Sequence, residues 1–157
     1  MKIDKEPAAL HSGRGKRFAV AVSEFNAPVT ERLLDSCMAV FRKAGVRETD
    51  LHVIRVPGAF ELPLACLALA RTGRYAAVVA LGCVIRGETP HDRYISHAVA
   101  RGLMRVGLDT GTPVIFGVLT PLNERQARAR AGGAHGDKGR DAALAALKMA
   151  RALRGIK

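Results

Sequence analysis

Tryptophan is absent from this 157-residue chain, and tyrosine and phenylalanine number only two and five. Rings this sparse do not form the successive stacking platforms used by binders of single-stranded nucleic acid. Cysteine is also scarce. Cys37, Cys66 and Cys83 stand far apart in apolar contexts, with no C-x-x-C pair and no Cys/His spacing suited to zinc. They read as reduced core residues, with Cys83, near a strand end, as a lesser candidate for a nucleophile. No apolar run approaches the roughly 20 residues that cross a bilayer. The polar segment 1–17 lacks an apolar stretch of signal-peptide type, so a cytoplasmic protein without membrane attachment is expected. Acidic side chains are few as well: 14 against 25 basic ones leave a net charge of +11. That surplus suits nucleic acid, anionic small molecules or simply a basic surface. The arginines are spread along the chain and no nucleic-acid motif accompanies them, so a phosphate-bearing small molecule is the expected ligand and nucleic acid is not.

What the chain does contain is alternation of apolar runs with helical patterns. Residues 1–14 show no period and read as a flexible arm ahead of one domain at 15–157. An apolar run at 17–22 reads as a strand. Asn26 and Pro28 then open a helix, a capping residue followed by a first-turn proline, and Gly45 ends it as a left-handed cap. Its stripe is Leu33, Leu34, Cys37, Met38 and Phe41. Residues 51–56 form a second strand, and 62–70 a short helix ending at Gly73. Residues 75–84 are apolar on both faces, the mark of a parallel strand covered on each side. A helix from about His91 sends Ile95, Ala98, Val99, Leu103 and Val106 to the core. Residues 113–119 are a fourth strand, Asn123 caps a helix running to about Ala131, a glycine-rich link covers 132–136, and a last helix spans 138–153. The alternation predicts an α/β, single-domain three-layer αβα sandwich, flavodoxin-like, with a four-stranded parallel sheet and right-handed crossovers.

Open sheets of this kind bind ligands at the carboxyl ends of their strands. Four segments meet there: Ser23-Glu24-Phe25-Asn26, Val56-Pro57-Gly58-Ala59-Phe60-Glu61, the stretch from Val84 to His91, and Leu119-Thr120. Phe25 offers a flat ring to a planar heterocycle, or equally a cover for the core. Pro57-Gly58-Ala59 lets a ligand approach the backbone. Glu61 can accept hydrogen bonds from hydroxyls, though a first-turn glutamate that complements the helix dipole is the simpler reading. Gly87-Glu88-Thr89, before a helix start, offers amides and a hydroxyl to an anion. Arg130 adds a bidentate clamp or is a solvated helix residue. His91 alone of the five histidines stands at a strand end, where an imidazole suits proton transfer. His11, His52, His97 and His135 read as arm, strand, helix-surface and loop residues, and Lys138 as an anion partner or a solvated helix-start lysine.

Together these segments resemble the 6,7-dimethyl-8-ribityllumazine synthase family, over about residues 17–153. The likeness is carried by Ser23-Glu24-Phe25-Asn26, by 56–63, by 82–89 with His91, by 113–120, and by Arg130-Ala131-Gly132 through to Lys138-Gly139. It implies a transferase of riboflavin biosynthesis that condenses a ribitylaminouracil with 3,4-dihydroxy-2-butanone 4-phosphate, without metal or organic cofactor. By the same likeness Phe25 stacks on the pyrimidine and the backbone of Cys83, Val84 and Ile85 reads its polar edge. Ala59, Phe60 and Glu61 hold the ribityl chain. Glu88, Thr89 and Arg130 hold the phosphate, and His91 shuttles protons. Phe116 and Arg130 come from a neighbouring subunit of a homo-oligomer, a pentamer or a multiple of it, and riboflavin synthase is an implied partner. Where the family often has an aromatic and then an acid after the histidine, this chain has Asp92 and Arg93. That departure leaves open an alternative, a low-activity paralogue that binds flavin or lumazine.

Overall fold

Residues 12–156 are described in the structure, a computed structural model; residues 1–11 of the expected arm, with Pro7 and His11, lie outside them. Four strands, β1 (Phe18–Ser23), β2 (Leu51–Val56), β3 (Ala77–Cys83) and β4 (Val114–Leu119), form one sheet in the order β2-β1-β3-β4. Every pairing is parallel, with Phe18 opposite Leu51 and Ala77, and Val78 opposite Val114. The two central strands, β1 and β3, are buried along their whole length, which is why their sequences are apolar at every position but Ser23, the last of β1.

Helices cover both faces. Helix α1 (Ala27–Lys43) and the last helix, α5 (Lys138–Ile156), pack on one side around Phe18, Val20, Val22, Val79 and Leu81. Helices α2 (Leu62–Arg71) and α3 (His91–Thr110) cover Ala19, Ala21, Val78 and Ala80 on the other. A short helix α4 (Glu124–Ala129) follows β4. The expected parallel three-layer fold is therefore the observed one. Gly45 ends α1 as expected: at φ 87° it donates to Arg42 O while Val46 donates to Phe41 O, the paired bonds of a Schellman cap.

Three local expectations are corrected. Ala98 is exposed, because the buried stripe of α3 runs through Val99, Leu103 and Val106 and residue 98 falls beside it. The glycine-rich link at 132–136 carries strands: Ala131–Gly133 (β5) and Gly136–Asp137 (β6) pair as an antiparallel hairpin, with a register shift between Ala131 and Gly133. Glycine is depleted in strands, so composition concealed it, yet Gly132 at φ 89° and Gly136 at φ 96° supply the backbone the hairpin requires. Asn26 stands at the N-cap of α1 but its side chain does not cap. Side-chain capping needs an extended backbone. Asn123 at φ −155° has one and accepts from Gln126 N, whereas Asn26 is left-handed at φ 61°.

Candidate active site

The carboxyl ends of β1, β2 and β3 enclose a cleft of about 350 Å³ lined by Phe25, Ala59, Phe60, Glu61, Thr89 and His91, with Cys83, Val84 and Ile85 lining it where β3 ends. Its geometry follows from unequal strand ends. The chain leaves β1 at Ser23, and the next amides bond sideways to the β2 exit, Glu24 N to Val56 O at 2.8 Å and Phe25 N to Pro57 O at 3.0 Å. The chain after β3 instead stays strapped to the β4 side, with Val84 N donating to Leu119 O at 2.8 Å and Arg86 N to Pro121 O at 3.0 Å. Backbone groups alternate in direction along an extended segment. The Ile85 N–H and C=O therefore face the side vacated by β1, next to Phe25, and offer one donor and one acceptor to a flat polar edge.

The core reading of Phe25 is excluded, since its ring is 72% exposed. Phe60 is 60% exposed on the opposite wall. Both suggested roles of Glu61 bear on one geometry. Its Oε2 accepts from Gly58 N at 2.9 Å, closing the turn that leads into α2, and its carboxylate stays at the cleft. His91 is the first residue of α3 and exposed, so helix geometry holds its imidazole at the rim. Gly87 and Asp92 also line the cleft; Asp92 was noted in the sequence only as a departure and is half-buried here. Glu88 is exposed on the loop between Gly87 and Thr89 and is not among the lining residues.

Phe116 and Arg130 are not brought to this cleft. They lie in a second concavity of about 540 Å³, between β4, α4 and the start of α5. Phe116 is 49% exposed on edge strand β4. Arg130 is oriented by a 3.3 Å bond from its Nη1 to Gln126 O, and Lys138 lies 3.6 Å from Asp141. Thr120, Gln126 and Asp141 complete the polar lining. Gln126 and Asp141 went unnoticed in the sequence; each sits in a helical turn beside a named residue, a position that ordinary surface residues share. The concavity is basic and partly apolar and shares no lining residue with the cleft.

The three thiols are free and buried. Burial pushes Cys83 up to about 11 and Cys66 up to about 12, and raises Cys37 further. A reactive cysteine needs the opposite shift, which weighs against the lesser reading of Cys83. Among the described residues no cluster of three or more His, Cys, Asp or Glu side chains could hold a metal ion, and no helix is long and apolar enough to cross a membrane.

Known proteins share this arrangement of sequence. The family model for 6,7-dimethyl-8-ribityllumazine synthase matches residues 15–154. The chain is 48% identical over 143 residues to the 6,7-dimethyl-8-ribityllumazine synthase of Syntrophus aciditrophicus (strain SB), across 91% of this chain and 93% of that protein.

Proposed function

The chain belongs to the 6,7-dimethyl-8-ribityllumazine synthase family, and we propose how its two concavities divide the reaction. It is a transferase of riboflavin biosynthesis that condenses 5-amino-6-(D-ribitylamino)uracil with 3,4-dihydroxy-2-butanone 4-phosphate. The uracil amine adds to the ketone and loses water to form an imine, phosphate leaves the four-carbon unit, and ring closure with a second dehydration gives the lumazine.

The single observation that carries the site assignment is the convergence of Phe25, the Ile85 backbone pair, Glu61 and His91 on one cleft. Phe25 stacks on the uracil, and the 83–85 floor pairs with its donor and acceptor edge. Ala59, Phe60 and Glu61 take the ribityl hydroxyls. His91 carries protons between the amine, the imine and the leaving group. Thr89 and Glu88, on the loop before α3, receive the phosphate through hydroxyl and backbone. Most of the catalytic work is positioning two reactive partners, with charge stabilisation at the departing phosphate.

Arg130 and Phe116 serve the same site from a neighbouring subunit, Arg130 at the phosphate and Phe116 against the uracil side. This reading is supported by their placement away from the cleft of their own chain and by the exposure of Phe116. Exposed Tyr94, Met104 and Leu108 on α3 and Leu64 on α2 give the apolar surface that assembly would cover. A homo-oligomer follows, a pentamer or a multiple of it. The free state of all three cysteines fits a reducing, cytoplasmic location, with riboflavin synthase as the partner that consumes the product.

The test is to mix both substrates with the pure protein and follow inorganic phosphate together with lumazine fluorescence. Stoichiometric release of both is expected. Tight lumazine or flavin binding with no phosphate release would instead make the protein a carrier.

A further inference from the structure

Asn26 is the one non-glycine residue with positive φ among the described residues, and it directly follows the ring proposed to stack on the uracil. Its side chain forgoes the helix cap and reaches the end of the neighbouring strand β3, where Nδ2 donates to Cys83 O at 2.8 Å. This contact joins residues 57 positions apart in sequence, at the point where β1 has ended and β3 continues. The surroundings show what it accomplishes. The amides of Glu24 and Phe25 are already bonded to the β2 exit, so the turn is held on that side by backbone alone. On the β3 side the Asn26 amide is the side-chain tie between the turn and the cleft floor. It also takes one lone pair of the Cys83 carbonyl, which lies on the same side of the chain as the Ile85 pair, two residues earlier, and fixes the direction of that acceptor beside the pair.

Given the uracil assignment of the cleft, on which this rests, we propose that Asn26 is a positioning residue for substrate recognition. It acts through its left-handed backbone and its bond to Cys83, which together fix the spacing between the Phe25 ring and the Ile85 backbone edge. It also anchors the Cys83 carbonyl, so that the acceptors of the 83–85 floor meet the heterocycle in a fixed direction. The device explains why asparagine fits here. Glycine would accept the backbone but has no donor, and aspartate would accept the backbone but turn an oxygen toward an oxygen. The role concerns the uracil partner and not the phosphate partner.

Two variants separate this from a general packing role. Asn26→Gly keeps the backbone conformation and removes the donor. Asn26→Asp keeps the shape, and its carboxyl bonds to Cys83 O only when protonated. A carboxylate facing a carbonyl has its pKa raised, so its bond is present at low pH and lost as pH rises. Binding of 5-amino-6-(D-ribitylamino)uracil alone is measured by titration for wild type and both variants across pH. Asn26→Gly is expected to weaken it about tenfold at every pH, the scale of one hydrogen bond. Asn26→Asp is expected to weaken it by at least as much above neutrality and to recover toward wild type as pH falls. KM for the butanone phosphate should change little in either variant. Melting temperature against pH, with no substrate present, should show the same low-pH recovery for Asn26→Asp relative to wild type. Variants that bind the uracil like wild type overturn the proposal, as does an Asn26→Asp loss that ignores pH. If wild type itself fails to bind the uracil, the substrate assignment fails, while the substrate-free melting profile still reports on the Asn26–Cys83 bond.

Discussion

A Cβ added to Gly139 would lie 2.1 Å from the Leu33 carbonyl oxygen and 2.7 Å from its carbon. The first turn of α5 therefore rests directly on the backbone of α1, with no side chain between them. That contact sets the position of Lys138, one residue earlier, at the mouth of the second concavity. Gly139→Ala forces the helices apart and should cost about 1–3 kcal/mol, the usual penalty for overpacking. The melting temperature should fall by about 2–4 °C for each kcal/mol lost. An unchanged melting temperature would show that α5 can shift freely.

Phe25→Ala tests the stacking role without touching the core. Because the ring is mostly solvent-exposed, the melting temperature should hold, with any change within about 0.5 kcal/mol. Loss of stacking should weaken uracil affinity by about 1–3 kcal/mol. Phe25→Tyr, which keeps the ring face, should recover most of that loss. A comparable affinity in Phe25→Ala would remove the ring from the binding account.

A site shared between subunits, as proposed, predicts complementation. Phe25→Ala and Arg130→Ala subunits should each assemble into nearly inactive oligomers. Dissociating and reassembling an equal mixture should restore activity to about a quarter of wild type, because some sites then draw both halves from unaltered surfaces. Assay of phosphate release before and after mixing checks this. No gain on mixing, with mixed oligomers confirmed by mass, would place Arg130 outside the site of its neighbour.

Acid stability should carry the signature of Asp50. This carboxylate is buried at the amino end of β2 and accepts from Arg47 Nε at 2.7 Å and Arg17 Nε at 3.4 Å. The Arg47 hydrogen bond, chiefly, holds its carboxyl below the ordinary value, with burial opposing and both arginine charges assisting. A folded-state pKa below the unfolded one stabilises the protein above the ordinary carboxylate range and ceases to do so as pH falls through the depressed value. Asp50→Asn should therefore lower the melting temperature near neutrality and flatten its decline as pH falls below about 4, the ordinary aspartate value. Parallel melting curves for wild type and variant across that range would contradict it.

The strands were legible because burial on two faces forces apolar runs. Residues 51–56 match β2 without adjustment, and the run at 75–84 contains all of β3. The site segments were legible for a similar reason: polar and glycine residues at strand ends interrupt those runs at Phe25, Glu61 and Thr89. Asn26 was misread because asparagine before a helix is an N-cap in most settings, and the sequence does not encode whether its backbone is extended or left-handed. The β5–β6 hairpin was missed because glycine signals a link wherever no neighbouring strand is known. Ala98 was misplaced because one helical position, a turn of 100°, separates a buried face from an exposed one.

Order of elements, parallel pairing and the gathering of polar segments along one rim follow from the amino-acid sequence, since hydrophobic periodicity and crossover handedness leave few other topologies. The division of the candidate site residues between two separate hollows, and the path of the Asn26 amide to Cys83, were decided only in three dimensions. They depend on how far each strand outlasts its neighbour and on which direction a backbone group faces at that point. Those are properties of register and packing, and no local run of residues carries them.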